Sequence, residues 1–508
     1  MSSLPNILFI QTDQLTIDVL SSYGNSVAVT PAIDNLAVDG VVFDNFYCNF
    51  PLCAPSRASM SSGMLASRIG AFDNAAEMPA SVPTYAHYLR QAGYETCLSG
   101  KMHYVGPDQL HGFETRLTTD IYPGDFSWTP DWSQTGFHGA TDARVLTDSG
   151  VCSRNVQIDY DEAVTHHAVQ KIYDTARSSD NRPLFLQVSY THPHDPYLCQ
   201  QHHWDLYEDV DIPAPRIGME SADQNDPHSV RLLAQHGFDE ANVSDDIVQQ
   251  ARRAYCGSVS YIDDQVAKLC AALDDSGLRN DTVIIFGSDH GEMLGERGLW
   301  LKKTFFEPSL RVPLIVNYPE RFKPRHVATP CSLVDLLPTF MGLASGTVWN
   351  DAIEPLDGVD LCPIMQGADE DLARPVFAEL LSEGIVAPVF MIRRGRFKLV
   401  TSDGGDPDML YDLDADPHEV NNLADDPSHA NTLAALRKEA AEKWDAAGLA
   451  EAIILSQRRR HLIRAAHRNG VPPRWDFDDG AGDDLRWYRG HGNYNDWAMD
   501  YLPGDDAK

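Results

Sequence analysis

The sequence predicts an α/β fold in which a large, mostly parallel β-sheet lies between layers of helices, followed by a smaller C-terminal α+β domain. Short apolar runs are predicted as buried strands, and they alternate with longer stretches predicted as helices. Strands that are apolar almost throughout indicate a sheet covered on both faces, as in parallel α/β proteins. The predicted strands are 6–10, 183–190, 282–287 and 312–316, and the predicted helices include 82–93, 161–177 and 247–276.

A turn-rich stretch divides the chain, and three parts are predicted. Residues 1–365 form the α/β domain, residues 366–465 form the smaller α+β domain, and residues 466–508 form a C-terminal tail. The smaller domain combines strands at 387–393 and 396–400 with a helix that is apolar on one face. The acidic tail is too aromatic for a disordered segment and too short for its own core. We expect the tail to pack against a neighbouring subunit, with packing against its own subunit as the alternative.

Composition limits the partners and the compartment. A formal net charge of −34 argues against nucleic acid and against anionic membrane surfaces. No run approaches the roughly 18 apolar residues of a membrane span, and the first residues lack the order of a signal peptide. Nine cysteines without a CxxC pair fit a reducing compartment. We therefore expect a cytoplasmic protein.

Polar residues follow three of the predicted strands at the point where each strand ends. In open α/β sheets the ligand crevice lies at the carboxyl ends of the strands, so these separate segments should meet there. The residues are Asp13 and Gln14 after the first strand, His192 and His194 after the second, and Asp289 and His290 after the third.

The run C-A-P-S-R at 53–57 carries a candidate nucleophile. Pro55 or Ser56 can open a helix, which would place Cys53 at the positive N-terminal end of that helix. On its own, a cysteine in such a place is more often an inert core thiol. A thiolate nucleophile would usually need a nearby histidine as its base.

Three motifs resemble those of one enzyme family. The run at 53–57 resembles C-x-P-S-R, G-Y-E-T-C-L-S-G-K-M-H at 93–103 resembles G-Y-x-T-x-x-x-G-K-x-H, and L-Y-D-L-D-A-D-P-H-E at 410–419 resembles L-Y-D-L-x-x-D-P-x-E. These are motifs of the type I sulfatases, formylglycine enzymes of the alkaline phosphatase superfamily, and the resemblance implies their fold. Within this family the likeness is closest to choline sulfatases, with similar runs at 106–113, 191–197 and 298–302.

The resemblance implies a sulfuric ester hydrolase in which a maturation enzyme oxidises Cys53 to formylglycine. The aldehyde hydrates to a gem-diol, and one hydroxyl attacks sulfur and expels the alcohol. The second hydroxyl then loses its proton, sulfate departs and the aldehyde returns. This covalent route divides one hard step into two. The C-x-P-S-R motif is compatible with oxygen-dependent or radical maturation.

A divalent cation is expected to acidify the diol and to hold a sulfate oxygen. The resemblance assigns Asp13, Gln14, Asp289 and His290 as its ligands, together with the group derived from Cys53. Oxygen ligands point to Ca²⁺, Mg²⁺ or Mn²⁺, and the nitrogen of His290 suits Mn²⁺. Gln14 stands where many sulfatases carry aspartate, which removes one negative charge and leaves the choice of metal open.

The resemblance also assigns the groups that handle charge and protons. Arg57, Lys101 and Lys302 would supply the positive field that an anionic group needs, with Lys303 as an alternative to Lys302.

Two histidines are assigned to proton transfer, because the pKa of histidine lies near working pH. His103 would accept the proton from the sulfated hemiacetal, and His194 would assist the departing alkoxide. His192 is interpreted as a supporting residue.

The alcohol part of the substrate is predicted as choline, so the leading substrate is choline O-sulfate. Choline sulfatases hold the quaternary ammonium with aromatic faces and carboxylates, and Trp128, Asn74 and Glu383 match their substrate-side positions. The stretches 133–152 and 489–497 depart from the choline sulfatase pattern, so another alcohol or another assembly stays open.

Two other functions remain open. A promiscuous arylsulfatase, phosphonate monoester hydrolase or phosphodiester hydrolase would use the same formylglycine site. A non-catalytic metal-binding structural protein would keep Cys53 as a thiol. As partners we expect a small sulfate ester, a formylglycine-generating enzyme and further copies of the chain in a homo-oligomer, either a dimer or a tetramer.

Overall fold

The computed structural model describes residues 4–25, 27–132, 141–478, 480, 487–490 and 492–504. The strands are, in chain order, β1 (Asn6–Thr12), β2 (Val41–Phe43), β3 (Phe46–Tyr47), β4 (Glu95–Gly100), β5 (Thr115–Arg116), β6 (Gly150–Asn155), β7 (Leu184–Ser189), β8 (Leu198–Gln200), β9 (Thr282–Ser288), β10 (Leu314–Asn317), β11 (Arg325–Val327), β12 (Cys331–Ser332), β13 (Pro375–Leu380), β14 (Val389–Arg394), β15 (Phe397–Ser402), β16 (Met409–Asp412) and β17 (Tyr501–Pro503).

The helices are, in chain order, α1 (Pro31–Val38), α2 (Cys53–Ser62), α3 (Ala66–Ile69), α4 (Tyr85–Gln91), α5 (Arg144–Thr147), α6 (Val156–Arg177), α7 (Gln201–Asp205), α8 (Pro227–His236), α9 (Asp245–Ser276), α10 (Glu307–Leu310), α11 (Leu336–Ser345), α12 (Cys362–Met365), α13 (Ala430–Lys443), α14 (Ala446–His467) and α15 (Tyr494–Ala498). None of these described helices combines the length and the apolar character needed to cross a lipid bilayer.

The central sheet has the strand order β11-β2-β10-β9-β1-β7-β4-β5. The five strands from β9 to the edge strand β5, namely β9, β1, β7, β4 and β5, run parallel, whereas β10 is antiparallel to both β9 and β2. The predicted fold class is therefore confirmed. The predicted strands and helices correspond to β1, β7, β9, β10, α4, α6 and α9, with ends that differ by a few residues.

Alternating side chains of β1 supply the core on both faces of the sheet. Ile7 and Phe9 belong to one apolar cluster, in which the Phe9 ring lies 5.5 Å from that of Phe340 on α11. Leu8 and Ile10 belong to a second cluster with residues of α6 and α9 on the opposite face. Because a strand side chain points to the other face at every step, the continuous apolar run of β1 requires cover on both sides.

The smaller domain is built on an antiparallel sheet in the order β13-β14-β15-β16, against which α13 packs. The indole of Trp444, which follows α13, stacks on Phe390 of β14 at a centroid distance of 4.5 Å. Leu433 and Leu436 of α13 are buried in the same cluster. The boundaries of the three predicted parts of the chain stay a prediction.

The third motif lies at the junction of the two sheets. Its last residue, Glu419, is buried and forms an ion pair with Lys398 of β15, whose ammonium also lies 2.8 Å from Glu307. The second oxygen of Glu419 accepts a hydrogen bond of 2.8 Å from the Glu307 backbone amide. Burial raises the pKa of Glu419, and the positive charge of Lys398 offsets part of this increase. One buried cation thus holds two carboxylates from different parts of the chain.

We expect Lys398→Met to destabilise the protein by about 3–5 kcal/mol, because it leaves the carboxylate of Glu419 buried without its cation and also removes the closest cation of the partly buried Glu307. Denaturant unfolding measures the loss. Arg394→Met is the matched control on β14, since Arg394 pairs with Glu439 at the surface, where an ion pair contributes below about 1 kcal/mol. Equal losses in the two variants would show that the buried cluster does not stabilise the junction.

The described part of the tail packs against the α/β domain of its own chain. β17 pairs antiparallel with β6. Trp487, Tyr488 and Tyr494 are buried, and the Trp487 ring lies 5.0 Å from that of Tyr160 on α6. Residues 479, 481–486, 491 and 505–508 of the tail lie outside the described residues. Contact between the tail and a neighbouring subunit stays a prediction.

Candidate active site

Cys53 is the first residue of α2, as the proline two positions later predicts, and its side chain is buried. It lies in the wall of a cavity of about 910 Å³. The backbone amides in the first turn of a helix have no partner within the helix. One of them, the amide of Ala54, donates a 3.0 Å hydrogen bond to the side chain of Asn74. Ser56 donates to the backbone carbonyl of Asp289 at 2.5 Å, which holds α2 against the end of β9. The helix N-terminus and the strand ends therefore meet at Cys53.

A group of potential metal ligands surrounds Cys53. Thr12 and Ser288 are register partners at the ends of the parallel strands β1 and β9, so the following Asp13 and Asp289 lie side by side. One atom of each of Asp13, Cys53, Asp289 and His290 lies within 4.8 Å of all the others. The Cys53 sulfur is 3.2 Å from Nε2 of His290.

The donor set fits a divalent cation. Asp13, Asp289 and His290 are fully buried, and two carboxylates with one imidazole suit a hard or borderline metal ion. Nε2 of His290 lies 3.6 Å from Asp13 and 3.7 Å from Asp289. Gln14 completes the predicted set: its backbone amide donates to Asp289 at 3.2 Å, and its backbone has a left-handed φ of 68°.

Cations pair with these carboxylates. Arg57 binds Asp13 at 2.9 Å and Asp289 at 2.8 Å, and Lys101 forms a further ion pair with Asp13. Burial alone would raise the pKa of Asp13, but Lys101 and Arg57, among other groups, hold it well below its usual range. With Lys302, three cations are therefore gathered at this site within a strongly acidic protein.

The hydrogen bonds of His194 define its tautomer. Its Nδ1 lies 2.8 Å from the backbone carbonyl of Asp195, which can only accept, so Nδ1 carries the proton. Its Nε2 is therefore an acceptor, and the Lys302 ammonium donates to it at 2.8 Å. Burial lowers the pKa of Lys302, but the interactions with Cys53 and with the carboxylate of Asp195 raise it overall. Lys302 thus stays charged and bridges His194 and Gln14.

His103 lies against the aromatic part of the same region, with its ring 5.1 Å from Tyr122 and 5.5 Å from Trp128. It is 3% exposed, and neither ring nitrogen has a hydrogen-bond partner among the described residues. Burial, followed by the charge of Lys101, lowers the pKa of His103 to about 3. The imidazole is therefore neutral, and with the charge of Lys101 beside it a pKa this low also makes it a weak base.

His192, interpreted as support, is held by a carboxylate of α6. Its Nδ1 lies 2.7 Å from Asp161, and its backbone amide also donates to that carboxylate.

The three predicted substrate-side residues, Asn74, Trp128 and Glu383, all line the cavity. Glu383 is not a free carboxylate, because Lys303 forms an ion pair with it. Lys302 and Lys303 therefore face different partners, and Lys302 is the one that reaches Gln14 and His194.

Aromatic residues that the sequence did not single out complete the cavity wall. Tyr122 lies 5.0 Å from Trp128, and the tail adds Tyr488, stacked on Trp128 at 5.6 Å, and Tyr494 at 5.7 Å. For Tyr488 and Tyr494, the aromatic composition of the tail was the feature of the sequence that could have indicated a place in the site. In the two stretches that depart from the choline sulfatase pattern, residues 133–140 and 491 lie outside the described residues.

Comparison with known proteins gave matches over nearly the whole chain. A family model described as Sulfatase matches residues 5–347, and one described as N-sulphoglucosamine sulphohydrolase, C-terminal, matches residues 295–445. The chain is 43% identical over 502 residues to a choline-sulfatase of Rhizobium meliloti (strain 1021), covering 96% of each protein. It is 31% identical to an uncharacterized sulfatase of Escherichia coli (strain K12), covering 83% of each. The crystal structure of a phosphonate monoester hydrolase of Agrobacterium radiobacter has the same fold, with a TM-score of 0.68 at 24% identity over 86% of this chain and 95% of that one.

Proposed function

Since the chain belongs to the sulfatase family and is a hydrolase of sulfate esters, we propose that its substrate is choline O-sulfate. The observation that carries the proposal is the polarity of the cavity. Its wall combines Cys53 and Lys302 with a set of aromatic rings that includes Trp128 and Tyr488. A sulfate group beside Lys302 and a quaternary ammonium against the rings would each meet a complementary surface.

The aromatic wall suits a cation better than the carboxylate of Glu383 does. Trp128, Tyr488 and Tyr494 form a contiguous set with centroid distances of 5.5–5.7 Å, and ring faces attract a desolvated ammonium. Glu383 is already neutralised by Lys303. Recognition of choline would therefore depend mainly on ring faces, with Glu383 as a secondary contribution.

The proposed nucleophile is the hydrated formylglycine derived from Cys53. One hydroxyl attacks sulfur, the bond between sulfur and the alcohol oxygen breaks, and the sulfuryl group is transferred to residue 53. His103, neutral and without a hydrogen-bond partner among the described residues, then accepts the proton of the second hydroxyl. The bond to sulfate breaks, the aldehyde re-forms, and water hydrates it again.

The departing alcohol needs a proton, and Lys302 is placed to supply one. Its ammonium already donates to Nε2 of His194, so that imidazole can orient the proton donor toward the departing oxygen. Arg57 and Lys101 hold Asp13 and orient the charged floor of the site. A divalent cation held by Asp13, Gln14, Asp289 and His290, with Ca²⁺ or Mn²⁺ as the leading candidates, would acidify the diol and hold a sulfate oxygen.

The experiment compares kcat/KM for choline O-sulfate with that for its neutral isostere, in which carbon replaces the quaternary nitrogen. Conversion of Cys53 is first verified by mass spectrometry. We expect a preference of about 30-fold for choline O-sulfate, which corresponds to about 2 kcal/mol of cation–π attraction. Trp128→Leu should remove most of this preference, and Trp128→Phe should keep it, because a ring face remains.

Trp349→Leu is the control, since Trp349 packs on Tyr88 and does not line the cavity. An aryl sulfate and an aryl phosphonate monoester complete the panel. If either was hydrolysed better than choline O-sulfate, the choline assignment would be wrong and the site would be that of a promiscuous aryl ester hydrolase. The maturation enzyme and the homo-oligomer are part of the proposal and need separate tests.

A further inference from the structure

The amide of Gln14 has one orientation that satisfies its surroundings. Its oxygen accepts a hydrogen bond from the ammonium of Lys302, a group that can only donate. Its nitrogen donates to Glu292 at 2.5 Å and lies 3.4 Å from Asp195. With the amide reversed, an NH₂ group would face an ammonium and an oxygen would face two carboxylates.

The other oxygen of Glu292 holds the turn that carries Lys302. It accepts hydrogen bonds from the backbone amides of Leu294 at 2.8 Å and Leu301 at 2.6 Å. Leu301 has a left-handed φ of 68° and directly precedes Lys302. Glu292 is fully buried, so water does not compete for these bonds. One carboxylate therefore links the amide of Gln14 to the position of Lys302.

We propose that Glu292 is a positioning residue: by accepting from the amide nitrogen of Gln14, it keeps the amide oxygen on the side of Lys302, in the one orientation in which that oxygen would be available to a metal ion. The inference rests on the metal site of the proposed function, and it explains why glutamine is suitable at position 14. A carboxylate there would lie beside the carboxylates of Glu292 and Asp195, whereas an amide donates to them and still offers an oxygen on its other side.

The test is a double-mutant cycle on positions 14 and 292, with Mn²⁺ and Ca²⁺ binding to the metal-stripped protein measured by calorimetry. In Glu292→Gln the side chain keeps an oxygen for the amides of Leu294 and Leu301, so its NH₂ faces the NH₂ of Gln14. The amide of Gln14 must then turn, and the metal Kd should rise by about 10- to 100-fold, as for other residues that orient a metal ligand.

The second substitution, Gln14→Glu, reverses the hydrogen-bond polarity of the pair. In the Glu292→Gln background the new carboxylate can accept from the new amide and again present an oxygen to the metal, so the metal Kd should recover by about tenfold or more. In the wild-type background the same substitution places like charges together, and it should give no such gain. Glu296→Gln is the matched control, because Glu296 binds Arg216 and Ile217 instead of a metal ligand.

A Glu292→Gln variant with the metal Kd of the wild type would overturn the proposal. So would a double variant that binds metal no better than Glu292→Gln alone. Thermal unfolding of each variant separates lost folding from lost metal binding, and recovery in the double variant is a result that general destabilisation cannot give. If the wild type itself bound neither ion, the metal-dependent function would fail. If the wild type bound metal and Glu292→Gln bound it equally well, this inference alone would fail, so the two failures are distinguishable.

Discussion

Cys53→Ser should convert the enzyme from a catalyst of many turnovers into a protein that is sulfated once and then stops. A serine hydroxyl at the N-terminus of α2 can still receive the sulfuryl group in the charged site around Asp13 and Arg57. The resulting sulfate ester has no second hydroxyl, so the route by which sulfate departs and an aldehyde re-forms is lost. We expect steady-state kcat to fall on the order of 10⁴-fold or more, as for the loss of other covalent nucleophiles.

Rapid mixing and intact-protein mass spectrometry measure this result. We expect a burst of about one alcohol per active site and a mass increase of one sulfuryl group on residue 53. Cys53→Ala should give neither, and Cys48→Ser is a control for a buried thiol outside the proposed site. The mass also verifies that serine at position 53 is not itself oxidised. Sustained turnover by an unmodified serine variant would contradict the two-hydroxyl mechanism.

The sequence predicted the fold and much of the candidate site because both depend on local patterns. Apolar strands that end in polar pairs place Asp13 and Asp289 side by side wherever two such strands run parallel in register. Pro55 likewise predicted the start of the helix at Cys53. The places where the strands and the helix end follow from local patterns, whereas the meeting of these ends was expected from the fold class and the roles of the residues from the family resemblance.

The missed features all depend on long-range packing. Tyr122 and Tyr494 are 372 positions apart, yet their hydroxyl groups lie 3.1 Å from each other, and no local pattern predicts that meeting. The ion pair between Glu383 and Lys303 also depends on how the two domains pack. Glu292 stands directly after the predicted D-H-G ligand segment, but its role depends on contacts with Gln14 and Leu301 from other segments.

Lys302→Ala should reduce hydrolysis of alkyl sulfates far more than hydrolysis of activated aryl sulfates. An alkoxide is a poor leaving group and needs a proton as the bond to sulfur breaks, whereas an activated phenolate can leave without one. General acid catalysis contributes about 10²- to 10⁴-fold, so we expect a loss in that range for choline O-sulfate. Since Lys302 also contacts Gln14, a smaller loss common to all substrates should accompany it. His194→Ala should show the same selectivity, because Nε2 of His194 accepts the hydrogen bond from Lys302.

The measurement is kcat/KM across a series of sulfate esters whose alcohols differ in pKa, and the slope of log kcat/KM against that pKa is compared between variants. A steeper slope in both Lys302→Ala and His194→Ala would mean that these residues neutralise charge on the departing oxygen. Lys303→Ala is the matched control. Lys303 is the next residue in the chain, but it pairs with Glu383 instead of His194, so the slope of this variant should stay that of the wild type. Equal losses on alkyl and aryl esters would remove the leaving-group role from Lys302 and leave it with the positioning of Gln14 alone.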